Sequence, residues 1–209
     1  MNYLLPLLSV ILGYVFALVF QPKDKAKLKL LLAFSGSFLL SLTVIHLLPE
    51  IYESKNGRIG LFIMVGILFQ IILEYFSQGA EHGHVHGHSK MEHIPWLLFI
   101  SLCIHALAEG FPVGHHHDLA MGIAIHHLPI AIILTTFFIN ANLNKKAIFL
   151  FMITFAIMTP LGTILSDYLP LLNVYYNEIT AVVIGILFHI SSTIIFESSE
   201  GHKFNIANV

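Results

Sequence analysis

Residues 59–77 read IGLFIMVGILFQIILEYFS, a run of nineteen residues in which Glu74 carries the only charge. A transmembrane helix takes about 20 mostly apolar residues. Because the run is continuous rather than alternating, and because an open strand leaves its backbone unsatisfied in lipid, we predict a membrane-spanning helix here. Six further apolar runs are predicted to be spans in the same way: 2–20, 30–49, 94–113, 119–140, 146–169 and 179–197.

The composition of the chain agrees with this class. Apolar residues make up 56% of its 209 residues and charged residues only 11%, whereas soluble domains carry about 25% charged residues. We therefore predict an all-α integral membrane protein, a polytopic helical bundle with seven visible spans that forms a single domain over residues 1–209. The net charge of −2 provides no basic face for phosphate groups, so no nucleic acid partner is expected.

Lysines are unevenly distributed between the two ends of the predicted bundle. Eight lysines lie at one end, in the loops after spans one, three and five and after span seven: Lys23, Lys25, Lys27, Lys29, Lys90, Lys145, Lys146 and Lys203. The loops at the opposite end carry only Lys55 and Arg58. The positive-inside rule therefore predicts a multi-pass protein of the cell membrane (inner or plasma membrane), with its N-terminus outside and the lysine-rich loops in the cytoplasm.

The loop at 78–93 is rich in histidine. It contains His82, His84, His86 and His88, each separated from the next by a glycine or a valine. Alternating histidine and glycine cannot form a packed core, and this composition is typical of a flexible metal-binding tether. We interpret the loop as a cytoplasmic metal-binding segment, and the alternative is a solvated loop without an assigned role.

Ionisable residues also lie inside two predicted spans, where their burial is costly. His105 and Glu109 are four residues apart, so both side chains leave the same face of span four. Span five adds His126 and His127, and Pro129 removes a backbone donor beside them. These four ionisable residues are the predicted metal ligands, for a borderline cation such as Zn²⁺. The alternative is a neutral histidine hydrogen-bonded to a protonated glutamate.

Weaker candidates lie along the other predicted spans and loops. The residues interpreted as a secondary metal pathway are His46, Glu50, His115, His116, His117 and His189. The histidine run 115–117 could capture cations or simply form a polar turn. His189 could be a ligand or a hydrogen-bonding residue within the bundle. Glu74 is expected to snorkel or to pair with a lysine.

Several short motifs occur in a defined order along these spans. They are His46-Leu47-Leu48-Pro49-Glu50, His105-x-x-x-Glu109-Gly110, His126-His127-Leu128-Pro129, Thr159-Pro160-Leu161-Gly162, and Gly185-Ile186-Leu187-Phe188 followed by Glu197. Together with the histidine-rich loop between spans three and four, this series resembles the ZIP (Zrt/Irt-like) family of divalent metal transporters over essentially the whole chain. The family form has eight spans, and this sequence shows seven.

The resemblance implies a function and a ligand set. It implies import of divalent metal into the cytoplasm, with Zn²⁺ as the expected cargo and Fe²⁺ or Mn²⁺ as alternatives, no resident cofactor and no enzymatic activity. His105, Glu109 and His126 would be the primary ligands, and His127 falls where the family has an acidic or amide ligand for a second ion. Divalent metal ions and the lipid bilayer are the implied partners, and a homodimer is left open.

Two residues of this sequence differ from the ZIP pattern at positions that bear on the number of bound ions. Ala106 stands where relatives carry a polar residue, and Ile130 stands where they carry a carboxylate that bridges two ions, so we expect a site for one ion.

Two alternative functions are a membrane metal sensor or accessory subunit without transport, and an intramembrane zinc hydrolase, although the His-Glu-x-x-His protease motif is absent from the sequence.

Overall fold

The computed structural model of the chain describes residues 3–22, 24–54, 57–77, 94–114 and 116–198. Within these ranges the chain is helical and contains no β-strand. The helices are α1 (Leu4–Phe20), α2 (Lys25–Leu42), α3 (Leu48–Glu53), α4 (Ile59–Ser77), α5 (Trp96–Gly110), α6 (His117–Asn140), α7 (Lys145–Tyr168), α8 (Pro170–Val174) and α9 (Tyr176–Ser198). The predicted all-α class is confirmed.

The segments Ala26–Glu53, Ile59–Ser77, His117–Asn140, Lys145–Tyr168 and Tyr176–Phe196 are long and apolar enough to cross a membrane. The chain is therefore a multi-pass membrane protein. The apolar helices α1 and α5 are shorter, with 17 and 15 residues. At 1.5 Å per residue they extend about 26 and 22 Å, less than the roughly 30 Å of the hydrocarbon core. Membrane crossing by these two helices remains a prediction.

Helix α2 begins at a defined cap. The Asp24 side chain accepts hydrogen bonds from the backbone N–H groups of Ala26 and Lys27, at 3.1 and 3.2 Å. Such a cap satisfies N–H groups that have no partner within the helix. The hydrogen bond from the Lys27 backbone is the main cause that lowers the pKa of Asp24 below its usual value.

Helices α2 and α3 form one long helix, because a π-helical turn at Thr43–Leu47 joins them. The Thr43 hydroxyl donates to the carbonyl of Leu39 at 2.8 Å, and the N–H of Leu48 reaches back five residues to Thr43. Turns of this kind occur often at functional positions. This one contains His46, whose side chain is exposed.

Two pairs of glycines bring helices into direct backbone contact. A Cβ atom added at Gly110 on α5 would lie 2.2 Å from the carbonyl oxygen of Thr159 on α7, and one added at Gly66 on α4 would lie 2.0 Å from that of Val182 on α9. The opposing glycines, Gly162 and Gly185, are as tightly packed. Small residues at such crossings let transmembrane helices approach closely.

The crossing of α5 and α7 also fixes the residue next to Glu109. The hydroxyl of Thr163 on α7 donates to the carbonyl of Gly110 at 2.8 Å. Helix α1 runs parallel to α6: Ser9 donates to the carbonyl of Ala124, and Gly13, further along α1, packs against Leu128, further along α6.

The buried apolar residues form two clusters. The first contains residues such as Leu102, Ile130, Phe138, Phe151 and Phe155. The second contains residues such as Leu39, Ile59, Val113, Leu119 and Ile123. Along α6 the second cluster ends at Ile123 and the first begins at Ile130. The two buried histidines, His126 and His127, lie between these two positions.

Candidate metal site

Four ionisable side chains are buried in the middle of the bundle. His105 and Glu109 project from α5, and His126 and His127 project from α6; none is more than 1% exposed. His105 and Glu109 lie next to the point where α5 packs against α7 at Gly110. His126 and His127 lie where α6 passes between the two apolar clusters. The structure therefore brings together the four residues that the sequence predicts as ligands.

Three of the four residues have ligand atoms close to one another. One atom each of His105, Glu109 and His126 lies within 4.8 Å of the other two. His105 Nε2 is 3.2 Å from Glu109 Oε1. Because zinc binds nitrogen and oxygen at about 2.0–2.2 Å, the ligands of a tetrahedral ion are separated by roughly 3.4 Å. The arrangement is thus close to what a small divalent cation requires.

His127 occupies a different position in this group. Its Nε2 donates a hydrogen bond to Glu109 Oε2 at 2.9 Å. Its ring packs against Phe155 of α7, with 5.2 Å between the ring centroids. The ring of His126 is 6.0 Å away. His127 therefore contacts Oε2, whereas His105 lies beside Oε1, and His127 is outside the set formed by His105, Glu109 and His126.

Ala106 and Ile130, the two positions where this sequence lacks a ligand for a second ion, also have apolar surroundings. Ala106 is fully buried and Ile130 is 1% exposed, and both belong to the first apolar cluster. Among the described residues Glu109 is the only fully buried carboxylate. The site thus combines two imidazoles with one anionic group.

A polar cavity lies beside the start of α6. It has a volume of about 420 Å³, and its ionisable lining residues are His46, Glu50, Glu53, His116, His117 and Asp118. His116 Nδ1 is 3.6 Å from Glu50 Oε2, and His116 Nε2 is 3.0 Å from the hydroxyl of Tyr176 on α9. The structure therefore gathers His46, Glu50, His116 and His117 around one space, and their role as a metal pathway stays a prediction. His115 lies outside the described residues.

Helix α6 contributes residues both to the lining of the cavity and to the buried group. His117 begins α6, and His126 follows nine residues later, which corresponds to about 14 Å along the helix axis. Leu119 and Ile123 lie between them and are buried in the second apolar cluster. Along α6, Leu119 at the cavity wall and the buried Ile123 therefore lie between the cavity and the buried ligand set.

His189 forms a separate pair. Its Nε2 lies 2.5 Å from Glu74 Oε2, which joins α9 to α4. Both side chains are partly exposed, by 20% and 24%. Pairing with a histidine was not expected for Glu74, since the two residues are 115 positions apart. The loop residues His82, His84, His86 and His88 lie outside the described residues.

The fold and the buried group define a polytopic helical membrane protein with a set of histidine and carboxylate side chains in its interior. The chain is similar to the zinc transporter ZIP1 of Danio rerio, with 22% identity over 191 residues, covering 66% of this chain and 63% of that protein. It thus spans less than two thirds of the length of this curated relative. No family model matches the chain, and no solved structure matches it.

Proposed function

We propose that the chain is a ZIP-like transporter that moves divalent metal ions across its membrane into the cytoplasm, with Zn²⁺ as the expected cargo and Fe²⁺ or Mn²⁺ as alternatives. The observation that carries this proposal is the buried set of His105, Glu109 and His126, with ligand atoms within 4.8 Å of one another. A similarity to a zinc transporter, at 22% identity, supports the same class of cargo.

The composition of the set favours a transported ion. Imidazole and carboxylate suit Zn²⁺ and neighbouring divalent metals. Glu109 neutralises part of the charge, which reduces the cost of placing a cation in a low-dielectric interior. A zinc hydrolase also needs an activated water and a group to accept its proton. The one fully buried carboxylate of the described residues is already engaged by His127 and lies against His105.

The polar cavity supports an entry route. Glu50, Glu53 and Asp118 contribute negative charge to its lining, and His46 and His117 contribute imidazoles. A cleft of one charge sign raises the local concentration of the opposite ion. The ion would exchange part of its hydration shell there and then pass Leu119 and Ile123 on its way to His126. His189 and Glu74 would contact it nearer the other end of the bundle.

The distribution of lysines supports the proposed orientation in the membrane. The ends of α2 and α7 that carry Lys27, Lys29, Lys145 and Lys146 would face the cytoplasm. The polar cavity lies at the opposite end and would face outward. The histidine-rich loop at 78–93 would then receive the ion after passage.

Uptake of zinc by proteoliposomes tests this function. Vesicles with the purified full chain and a trapped zinc-sensitive dye are expected to accumulate Zn²⁺ faster than empty vesicles. His105→Ala and Glu109→Gln should abolish the difference. Cys103→Ser is the matched control, because Cys103 lies on α5 two residues from His105 and outside the ligand set. Zinc binding without any uptake would contradict transport and favour a sensor or accessory subunit.

A further inference from the structure

The two carboxylate oxygens of Glu109 are held in different ways. Oε2 accepts a hydrogen bond from His127 Nε2 at 2.9 Å. Oε1 accepts none from the described residues and lies 3.2 Å from His105 Nε2. Because Glu109 is fully buried, bulk water does not compete for either oxygen. One oxygen is thus fixed by His127, and the other lies beside the imidazole of an expected ligand.

The imidazole of His127 is itself held by packing. The side chain is 1% exposed, and its ring lies against Phe155 with the planes tilted by 50°. His127 is not in the set whose ligand atoms lie within 4.8 Å of one another. To bind an ion of that set through Nε2, His127 would have to release Glu109.

We propose that His127 is a positioning residue of the metal site and not a ligand. Its Nε2–H donates to Glu109 Oε2, and this bond turns the carboxylate so that Oε1 is presented to an ion between His105 and His126. The inference rests on the proposed function and deepens it. Hydrogen bonds that orient a ligating carboxylate commonly affect metal affinity by about 10–100-fold.

A fixed carboxylate matters most where only one anion is present. An ion leaving water must find its ligands already oriented, because reorganisation of buried groups during binding reduces affinity. With Ala106 and Ile130 apolar, no second carboxylate among the described residues can compensate for a misplaced Glu109. His127 therefore takes a role that differs from the acidic or amide ligand of the ZIP family at this position.

The experiment uses the purified full chain with His82, His84, His86 and His88 changed to Ser, so that zinc bound by the loop does not contribute. X-ray absorption at the zinc edge counts the imidazoles around bound Zn²⁺, and calorimetric titration gives its Kd. Three variants are compared. His127→Gln keeps an N–H donor, His127→Leu removes it, and His126→Gln is the matched control that removes an expected ligand.

Two imidazoles are expected in the parent protein, and both His127 variants should keep two while His126→Gln keeps one. His127→Leu should weaken Kd by about 10–100-fold, and His127→Gln should recover most of that loss. A third imidazole that disappears in His127→Gln would overturn the inference. So would an unchanged Kd in His127→Leu. The imidazole count in His127→Gln decides the point even if the leucine variant fails to fold.

Failure of the proposed function gives a different result. Protein that binds zinc through two imidazoles and Glu109, but moves none into proteoliposomes, contradicts transport while it supports the positioning role of His127. Protein that transports zinc and shows His127 among the ligands contradicts only the positioning role.

Discussion

Gly110 of α5 and Gly162 of α7 face each other with no room for a side chain on either. A Cβ atom on Gly162 would lie 2.1 Å from the carbonyl oxygen of Leu107, and one on Gly110 would lie 2.2 Å from that of Thr159. The obstructing atoms belong to the backbone, so neither helix can yield locally. Because Glu109 precedes Gly110, this crossing also sets where the carboxylate stands relative to α6.

Gly110→Ala is therefore expected to destabilise the protein and to weaken zinc binding together. Overpacking of this kind typically costs about 1–3 kcal/mol, and separation of α5 from α7 moves Glu109 away from His127. Thermal unfolding and zinc titration of the purified protein measure both effects. Gly57→Ala is the control, because a Cβ atom there meets nothing within 4 Å. Equal unfolding midpoints for the two variants would contradict the prediction.

The buried site is expected to hold one ion. Two doubly charged ions about 4 Å apart repel by roughly 17 kcal/mol at an effective dielectric constant near 20, and only Glu109 offers an anionic group there. Zinc titration of protein without the four loop histidines should give a stoichiometry near one. Ile130→Glu should create or strengthen a second site, and Ile130→Gln should not. Two ions per chain in the parent site would contradict this expectation.

The polar cavity is expected to affect substrate capture more than turnover. Glu50→Gln removes one negative charge from its lining, so the KM for zinc uptake should rise a few-fold while kcat stays close to that of the parent. The rise should shrink at high ionic strength. Glu178→Gln is the control, because Glu178 lines another cavity with Arg58. An unchanged KM for Glu50→Gln would exclude the cavity from the route.

The sidedness of the membrane can be tested with single cysteines. In a Cys103→Ser background, Ser89→Cys in the histidine-rich loop should react with a membrane-impermeant reagent only after the cells are opened. Ser54→Cys, at the end of α3 beside Glu53, should react in intact cells. The reverse pattern would show that the lysine-rich loops face outward.

The loop histidines are expected to be dispensable for turnover. Replacement of His82, His84, His86 and His88 by Ser should leave the rate of zinc uptake largely intact, since the sequence predicts a loop outside the membrane, and such a loop does not set the barrier through lipid. Uptake in proteoliposomes gives the rate, and insertion is checked by the yield of folded protein. Complete loss of uptake in well-inserted protein would assign the loop to the transport route.

The sequence predicted the helices closely because long apolar runs leave few alternatives in a membrane. The run at 59–77 is helix α4 with the same bounds. The π-turn at Thr43–Leu47 was not predicted, since the same residues are compatible with a regular α-helix and only packing distinguishes the two. The sequence placed His105 and Glu109 on one helix face from their spacing and placed His126 on the next long helix, but their proximity depends on how the helices pack.

Contacts between residues far apart in the chain were harder to predict from the sequence. The pairing of His189 with Glu74 depends on how α9 lies against α4, and nothing near either residue in the sequence indicates it. The hydrogen bond from His127 to Glu109 has the same origin. The sequence identified His127 as a ligand candidate, but only the packing against Phe155 shows which way its ring is turned.

The two apolar clusters on either side of the buried histidines have a consequence for the cell. A membrane that stores energy as an ion gradient cannot tolerate an open aqueous path through one of its proteins. Leu119 and Ile123 on one side, and Leu102, Ile130 and Phe138 on the other, belong to the clusters that flank His126 and His127, and these two histidines are no more than 1% exposed. The described part of the structure therefore holds these histidines closed off from water, and the helices would have to move before an ion could reach them from either end of the bundle.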